Sequence, residues 1–235
     1  MIKAVLFDVD GTLYLQPRLR ALMAAELAVV PWMQRAPWRV GRLWNALSIF
    51  RRVREELRAL GRPTDALERL QYSEAATRAG IPVSEMEDAV AEWIVRRPLK
   101  YLPHVVRPGT REALAQLQAA GVRIGVFSDY PAEDKLKSMR LDQMVSLVVH
   151  ATEADVNAFK PHPRGFLAAA ERWGLSPEAI LYVGDRPDVD AVGAGAAGMR
   201  CAVIGRADGT ANRSSFVTAG HMADIPSLVT QDTRR

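Results

Sequence analysis

At 235 residues, with 49% hydrophobic and 25% charged side chains, the chain has the length and balance of a soluble globular protein: one core, or a core with a modest insertion. A lone cysteine, Cys201, excludes an intramolecular disulfide and fits a reducing compartment. No run approaches the roughly 18 apolar residues of a membrane span, and the opening MIKAVLFDVDG lacks the layout of a secretory leader, so a cytoplasmic location is expected. The net charge of +4 is mild but uneven. Between Tyr14 and Arg62, ten arginines stand against Glu26, Glu55 and Glu56, which leaves the rest of the chain slightly acidic.

Residues Ile2 to Phe7 form a short apolar run that ends at Asp8, the pattern of a buried strand. The Asp-Gly-Thr that follows is turn chemistry. From Leu15 to about Leu102 the rhythm is helical. A first helix is expected from Pro17 to about Val30, stopped by Pro31, and a second from near Trp38 to Leu60, stopped by Gly61. Pro63-Thr64 should open a third that Gly80 closes. Ser84 and Glu87 stand at capping-box spacing for a fourth, ending before Pro98.

From Pro108 helices and strands alternate. Helices are expected over Arg111–Ala120, Pro163–Trp173 and Val189–Ala197, and strands over Val122–Phe127, Leu147–Val149, Ile180–Val183 and Cys201–Ile204. Such alternation predicts an α/β fold: a Rossmann-like core with a mainly parallel sheet flanked by helices. The strand at Ile2–Phe7 joins that sheet, so the helical stretch is an insertion into it. The expected organisation is a core of residues 1–14 and 103–235, with a helical cap domain over 15–102. The tail after Gly209 is weakly patterned, and Gln231 to Arg235 should fray.

Several predicted strands end in polar residues: Asp8 and Asp10 after the first, Ser128 and Asp129 after another, Gly184-Asp185 after a third. Lys160 precedes a helix. In a parallel sheet these carboxyl ends share one edge, so distant residues can meet in a single crevice.

The sequence Asp8-Val9-Asp10-Gly11-Thr12-Leu13 resembles the first motif of the haloacid dehalogenase-like superfamily. Ser128, ending Val126-Phe127-Ser128, resembles its second, and Lys160-Pro161 its third. Gly184-Asp185-Arg186-Pro187-Asp188-Val189-Asp190, continuing to Gly198-Met199, resembles its fourth. Each piece alone is weak or moderate; four in order, each beside the right element, are not. The resemblance spans residues 1–13 and about 105–205, and the helical stretch lies where some members carry a helical cap.

What the resemblance implies is a magnesium-dependent phosphomonoester hydrolase. Asp8 would be the nucleophile that forms an aspartyl-phosphate, and Asp10 the general acid and base. The carboxylates of Asp8 and Asp185 and the carbonyl of Asp10 would hold Mg2+, an all-oxygen set that suits a hard cation and not structural zinc. Ser128, the backbone amide of Asp129 and Lys160 would bind the phosphoryl group, and Asp190 would orient Lys160 or metal-bound water. Dehalogenases proper lack an aspartate at the position of Asp10, because a halide leaves without a proton. The alternatives are a phosphomutase, which shares both aspartates, and a membrane-surface phosphatase acting on a lipid phosphate. Asp129 departs from the asparagine many members carry; a carboxylate turned toward the phosphate would repel it.

The expected partner is a small-molecule phosphate ester, with no nucleic acid. The basic segment carries Trp32, Trp38 and Trp44 among Arg35, Arg39, Arg42, Arg51, Arg52 and Arg54. Tryptophan with arginine can mark a membrane surface or a nucleic-acid face. The plainer expectation is that the tryptophans pack the helical unit and the arginines are solvated. A further expectation is that this positive surplus helps hold an anionic group beyond the scissile phosphate. Of the histidines only His162 lies near a motif residue, and Cys201 should be core.

Overall fold

A computed structural model describes residues 1–33, 39–205 and 216–231, without the side chains of Pro31, Arg39 and Gln231. The chain opens with β1 (Ala4–Phe7), then α1 (Gln16–Met33), α2 (Arg39–Ala59), α3 (Leu67–Ala79) and α4 (Val83–Val90). A wide π turn over Ala91–Arg96 continues into α5 (Arg97–Leu99), and α6 (Leu102–Val105) closes the helical stretch. There follow α7 (Thr110–Ala119), β2 (Arg123–Ser128), α8 (Glu133–Met139), β3 (Leu147–His150), α9 (Arg164–Trp173) and β4 (Ile180–Gly184). A second π turn at Pro187–Ala191 leads into α10 (Val192–Ala196), then β5 (Arg200–Ile204), β6 (Val217–Ala219) and α11 (Ile225–Gln231).

The six strands form one parallel sheet in the order β3-β2-β1-β4-β5-β6. Strands buried on both faces need continuous apolar runs, which β1 supplies. Val5 and Phe7 face one apolar cluster with Ile124, Val126, Leu181 and Val183. Ala4 and Leu6 face the other, with Phe127, Ile180 and Tyr182. The order reverses at β1, and the carboxyl ends of strands at such a switch point form the crevice where this architecture binds ligands.

The inserted helices have their own apolar cluster, built on Leu47, Phe50, Val53, Leu67, Met86 and Trp93, and Phe159 of the sheet portion packs into it. The chain leaves and re-enters the core side by side: Tyr14 and Val106 form an antiparallel bridge. Leu15 N donates to Val105 O at 2.8 Å and Arg107 N to Leu13 O at 2.9 Å.

Several expected boundaries shift. Helix α1 runs through Pro31 to Met33; in a last turn the missing N–H forfeits a single bond. Pro98 lies inside α5 and not beyond the helix. The preceding π turn shifts the hydrogen-bond register and leaves Pro98 in a first turn, where its missing donor costs nothing. Helix α4 starts at Val83 after Pro82 with no side-chain cap, so Ser84 sits within its first turn. The amides of Glu85 and Met86 instead reach Pro82 O. Helix α3 starts at Leu67, later than Pro63-Thr64, because a remote residue caps it: Asn157 Oδ1 accepts from Leu67 N at 2.7 Å. Helix α8 and the β6–α11 tail had no counterpart in the sequence reading. The expected fraying falls on residues 232–235, outside the described residues.

The expected packing role of the tryptophans also fails. Trp32 is 68% exposed and Trp44 57% exposed. The buried face of α2 follows Leu47, Phe50, Val53, Arg54 and Leu57, a helical spacing that leaves Trp44 off it. Trp38 lies outside the described residues.

Candidate active site

Strand β1 delivers Asp8 to the sheet edge, where the Asp8 amide donates to Val183 O at 2.8 Å and fixes it beside β4. Opposite stands Lys160, 4% exposed, on the loop before α9, after which the peptide to Pro161 is cis. Lys160 Nζ lies 2.6 Å from Asp8 Oδ1, 2.8 Å from Asp190 Oδ1 and 2.9 Å from the Tyr182 hydroxyl. A buried ammonium with three oxygen partners has every donor satisfied. Burial alone would depress its proton affinity, but Asp190 and Asp8 outweigh it and hold Lys160 charged well above the usual range.

Asp190 is fully committed. Its Oδ1 meets Lys160, and its Oδ2 accepts the amides of Asp185 and Arg186 at 3.1 and 2.9 Å. Gly184 makes room for it, since a Cβ there would overlap the Asp190 carboxylate. Oxygens of Asp8, Asp185 and Asp190 lie within 4.8 Å of one another. With both oxygens of Asp190 engaged, and Asp8 Oδ1 held by Lys160, Asp185 and the second oxygen of Asp8 are left to hold a cation. Burial, then the neighbouring charge of Asp190, pushes Asp185 up to about 6. Burial and the surrounding aspartates likewise raise Asp8, against the pull of Lys160. Crowded, desolvated carboxylates with a hard oxygen donor set fit a divalent cation, which would relieve their repulsion.

Asp10 faces different partners. Tyr14 donates to its Oδ1 at 2.6 Å, and Lys135 Nζ from α8 lies 2.5 Å from the same oxygen. Burial would raise Asp10, but Lys135 and Tyr14 overcome it and hold the carboxyl below its usual range. Ser128 is wholly buried at the end of β2, where its Oγ accepts from Tyr130 N at 3.3 Å.

Asp129 turns its carboxylate toward the inserted helices. Arg58 Nη2 of α2 is 2.8 Å from Asp129 Oδ2, and Lys160 N reaches Oδ1 at 3.2 Å. Burial would raise Asp129, but Lys160, Arg58 and Arg54 together hold it low. A charge so compensated presents little repulsion to an incoming anion.

The structure thus brings Asp8, Asp10, Asp129, Lys160, Asp185 and Asp190 to a single cavity of about 620 Å³ between the sheet edge and the inserted helices. Ser128 is adjacent in sequence to its wall. His162 does not line it; its Nδ1 accepts from Arg164 N at 3.2 Å. Cys201 is core, with its thiol pushed up by burial. Arg42 pairs with Glu85 outside this cavity, and Arg35 and the side chain of Arg39 fall outside the described residues. Among the described side chains of α2, the basic ones that reach the cavity are Arg51, Arg54 and Arg58.

Sequence reasoning missed Lys135, Tyr14 and Tyr182 as site residues. Tyr14 had one usable signal, its place four residues after Asp10 in the first motif. Lys135 sits in a polar helix and Tyr182 in an apolar strand, and neither pattern marks a site.

The model of the haloacid dehalogenase-like hydrolases matches residues 2–198. The chain belongs to that family, a family of enzymes. Among curated relatives, the glyceraldehyde 3-phosphate phosphatase of Methanopyrus kandleri is 34% identical over 209 residues, covering 85% of this chain and 82% of its own. The phosphoglycolate phosphatase of Escherichia coli is 30% identical over 206 residues, covering 81% and 77%. Among solved structures, a 2-haloacid dehalogenase from Pseudomonas syringae pv. tomato superposes with a TM-score of 0.69 at 25% identity over 98% of this chain and 99% of its own. A HAD phosphatase from Thermococcus onnurineus gives 0.61 at 23%, over 97% and 98%. No helix among the described residues is long and apolar enough to cross a membrane.

Proposed function

We propose that this chain hydrolyses the phosphomonoester of a small metabolite, with Asp8 as nucleophile, Mg2+ as cofactor, and residues 15–102 acting as a cap over the site. The observation that carries the reading is the Asp8–Lys160 pair, 2.6 Å apart, facing Asp10 and Asp185 in one cavity. Curated relatives named as phosphatases support it. Asp10 favours this reaction over dehalogenation, because an alkoxide leaving group needs a proton and a halide does not.

Asp8 and Asp185 carboxylates and the Asp10 carbonyl would hold the cation, which when bound neutralises phosphoryl oxygens. Asp8 attacks phosphorus, the P–O ester bond breaks and Asp10 gives its proton to the departing oxygen, leaving an aspartyl-phosphate. Lys160 opposes the charge that gathers on the transferring oxygens, and Ser128 with the Asp129 amide can donate to them. Asp10 then takes a proton from the water that attacks this intermediate, a step for which Lys135 and Tyr14 keep it ionised. The preceding step needs Asp10 protonated. A dianionic phosphoryl group beside it favours that form, because it counters the field of Lys135.

Asp8→Asn keeps size and packing but removes the nucleophile. It should cut hydrolysis of every phosphomonoester by at least about a thousandfold, in line with loss of a covalent nucleophile, while the melting curve stays cooperative. Retention of a tenth of the wild-type rate would remove Asp8 from this role.

A further inference from the structure

The residues that α1 and α2 contribute to the cavity include Arg20, Arg51, Arg54 and Arg58 against the single acid Glu55, and all of these cations but Arg58 are incompletely partnered among the described residues. Arg54 is 4% exposed, yet among the described residues its one hydrogen bond is from Nη2 to the Asp129 carbonyl at 3.0 Å, and its buried Nη1 has no acceptor there. Its guanidinium is stacked 3.4 Å from the Tyr130 ring centroid and 4.5 Å from that of Phe159. Aromatic faces fix its plane but do not neutralise its charge. One turn earlier on α2, Arg51 lines the same cavity, and so does Arg20 from α1. Neither has a carboxylate partner among the described residues, and both are solvent-exposed where they line the cavity. Both share the cavity with the buried Arg54, and like charges lining one cleft raise the local concentration of an anion.

We propose that Arg51 and Arg20, backed by the field of Arg54, form a second anion subsite for a carboxylate on the leaving group of the substrate. The substrate class is then a phosphorylated hydroxy acid. This rests on the phosphatase reading and deepens it. A planar fork matches a carboxylate with two parallel hydrogen bonds. Charge bookkeeping favours a carboxylate over a second phosphate. The cavity lining carries seven basic and six acidic side chains, so with a divalent cation the formal charge matches a phosphomonoester dianion plus one further negative charge.

The test compares phosphoglycolate with 2-hydroxyethyl phosphate, which replaces the carboxylate by a neutral hydroxymethyl group, and with para-nitrophenyl phosphate. The wild-type kcat/KM ratio of phosphoglycolate to 2-hydroxyethyl phosphate should be roughly 10 to 100, the range expected for a charge-assisted contact. In Arg51→Met that ratio should fall at least about tenfold, mostly through KM, and Arg54→Met should lower it as well. If Arg54→Met does not fold, the wild-type ratio and Arg51→Met still decide. A wild-type ratio near one, or a loss in Arg51→Met that is equal for both esters, overturns the subsite. Absence of turnover on all three esters, the aryl phosphate included, would instead overturn the phosphatase reading beneath it.

Discussion

Cutting the tie between Arg58 on α2 and Asp129 at the end of β2 should loosen the inserted helices from the sheet by a measurable amount. Arg58 Nη2 and Asp129 Oδ2 are 2.8 Å apart, with the two side chains 13% and 14% exposed. At that separation, with an effective dielectric constant of about 20, the bare attraction is roughly 6 kcal/mol. Desolvation cancels most of it, and hydrogen bonds to charged groups net about 1.5–3 kcal/mol. Each partner also keeps other contacts: Arg58 with Glu55 and the Lys160 carbonyl, and Asp129 with the Lys160 amide. The coupling should therefore sit near the lower end, about 1–2 kcal/mol. A double-mutant cycle of Arg58→Met and Asp129→Asn isolates it, read from urea unfolding by far-UV circular dichroism and tryptophan fluorescence. The double variant should lose about 1–2 kcal/mol less than the sum of the singles. A coupling below about 0.3 kcal/mol, the scatter of additive sites, would refute this account of what joins the two layers. Asp129→Asn should also fail to raise kcat/KM, since Arg58 already compensates the charge it removes.

Chelation should silence the enzyme and magnesium restore it. Because burial and Asp190 place Asp185 near 6, protons compete with the cation below that pH, so the half-activating magnesium concentration should rise about tenfold per unit as pH falls below 6. Activation curves at pH 5 and 7.5 that superimpose would contradict this. Gly11 has φ of +100°, and a Cβ there would overlap the Asp185 carboxylate. Gly11→Ala should therefore cost about 1–3 kcal/mol and raise the magnesium requirement, both visible in thermal melts with and without the metal. An unchanged melting temperature would mean the turn accepts a side chain.

The sheet strands that hold the site are legible in the sequence for a physical reason. β1, β2, β4 and β5 are buried on both faces, so they read as apolar runs that stop at Asp8, Ser128, Asp185 and Gly205. β6 carries three residues, two of them exposed, and offers no such run. Helix starts were misplaced where the satisfying group lay far off in the chain, as with Asn157 and Leu67. The same distance hid half the site. Asp8, Asp10, Lys160 and Asp185 belong to motifs whose spacing survives in one dimension. Lys135 approaches Asp10 from 125 positions away, on a helix whose sequence Glu-Asp-Lys-Leu-Lys-Ser-Met reads as a solvated surface. Arg54 and Arg58 were countable as charge, but only the turn of α2 decides that they face inward while Arg52 faces out.

The single bridge between Tyr14 and Val106 bears on how the chain finds its fold. β2 follows β1 only after 115 intervening residues, and closing a flexible loop of that size costs about 4 kcal/mol of chain entropy before any sheet contact rewards it. The Tyr14–Val106 pairing, once made, brings the two ends of the helical stretch together. The stretch left to close is then the two short arms from that bridge to the strands, roughly a fifth as long, which lowers the closure cost by about 1.5 kcal/mol, or about tenfold in rate. To the sheet, the whole helical insertion then behaves as a turn, and a chain in which a short hairpin replaced α1 to α6 would offer β1 and β2 the same start.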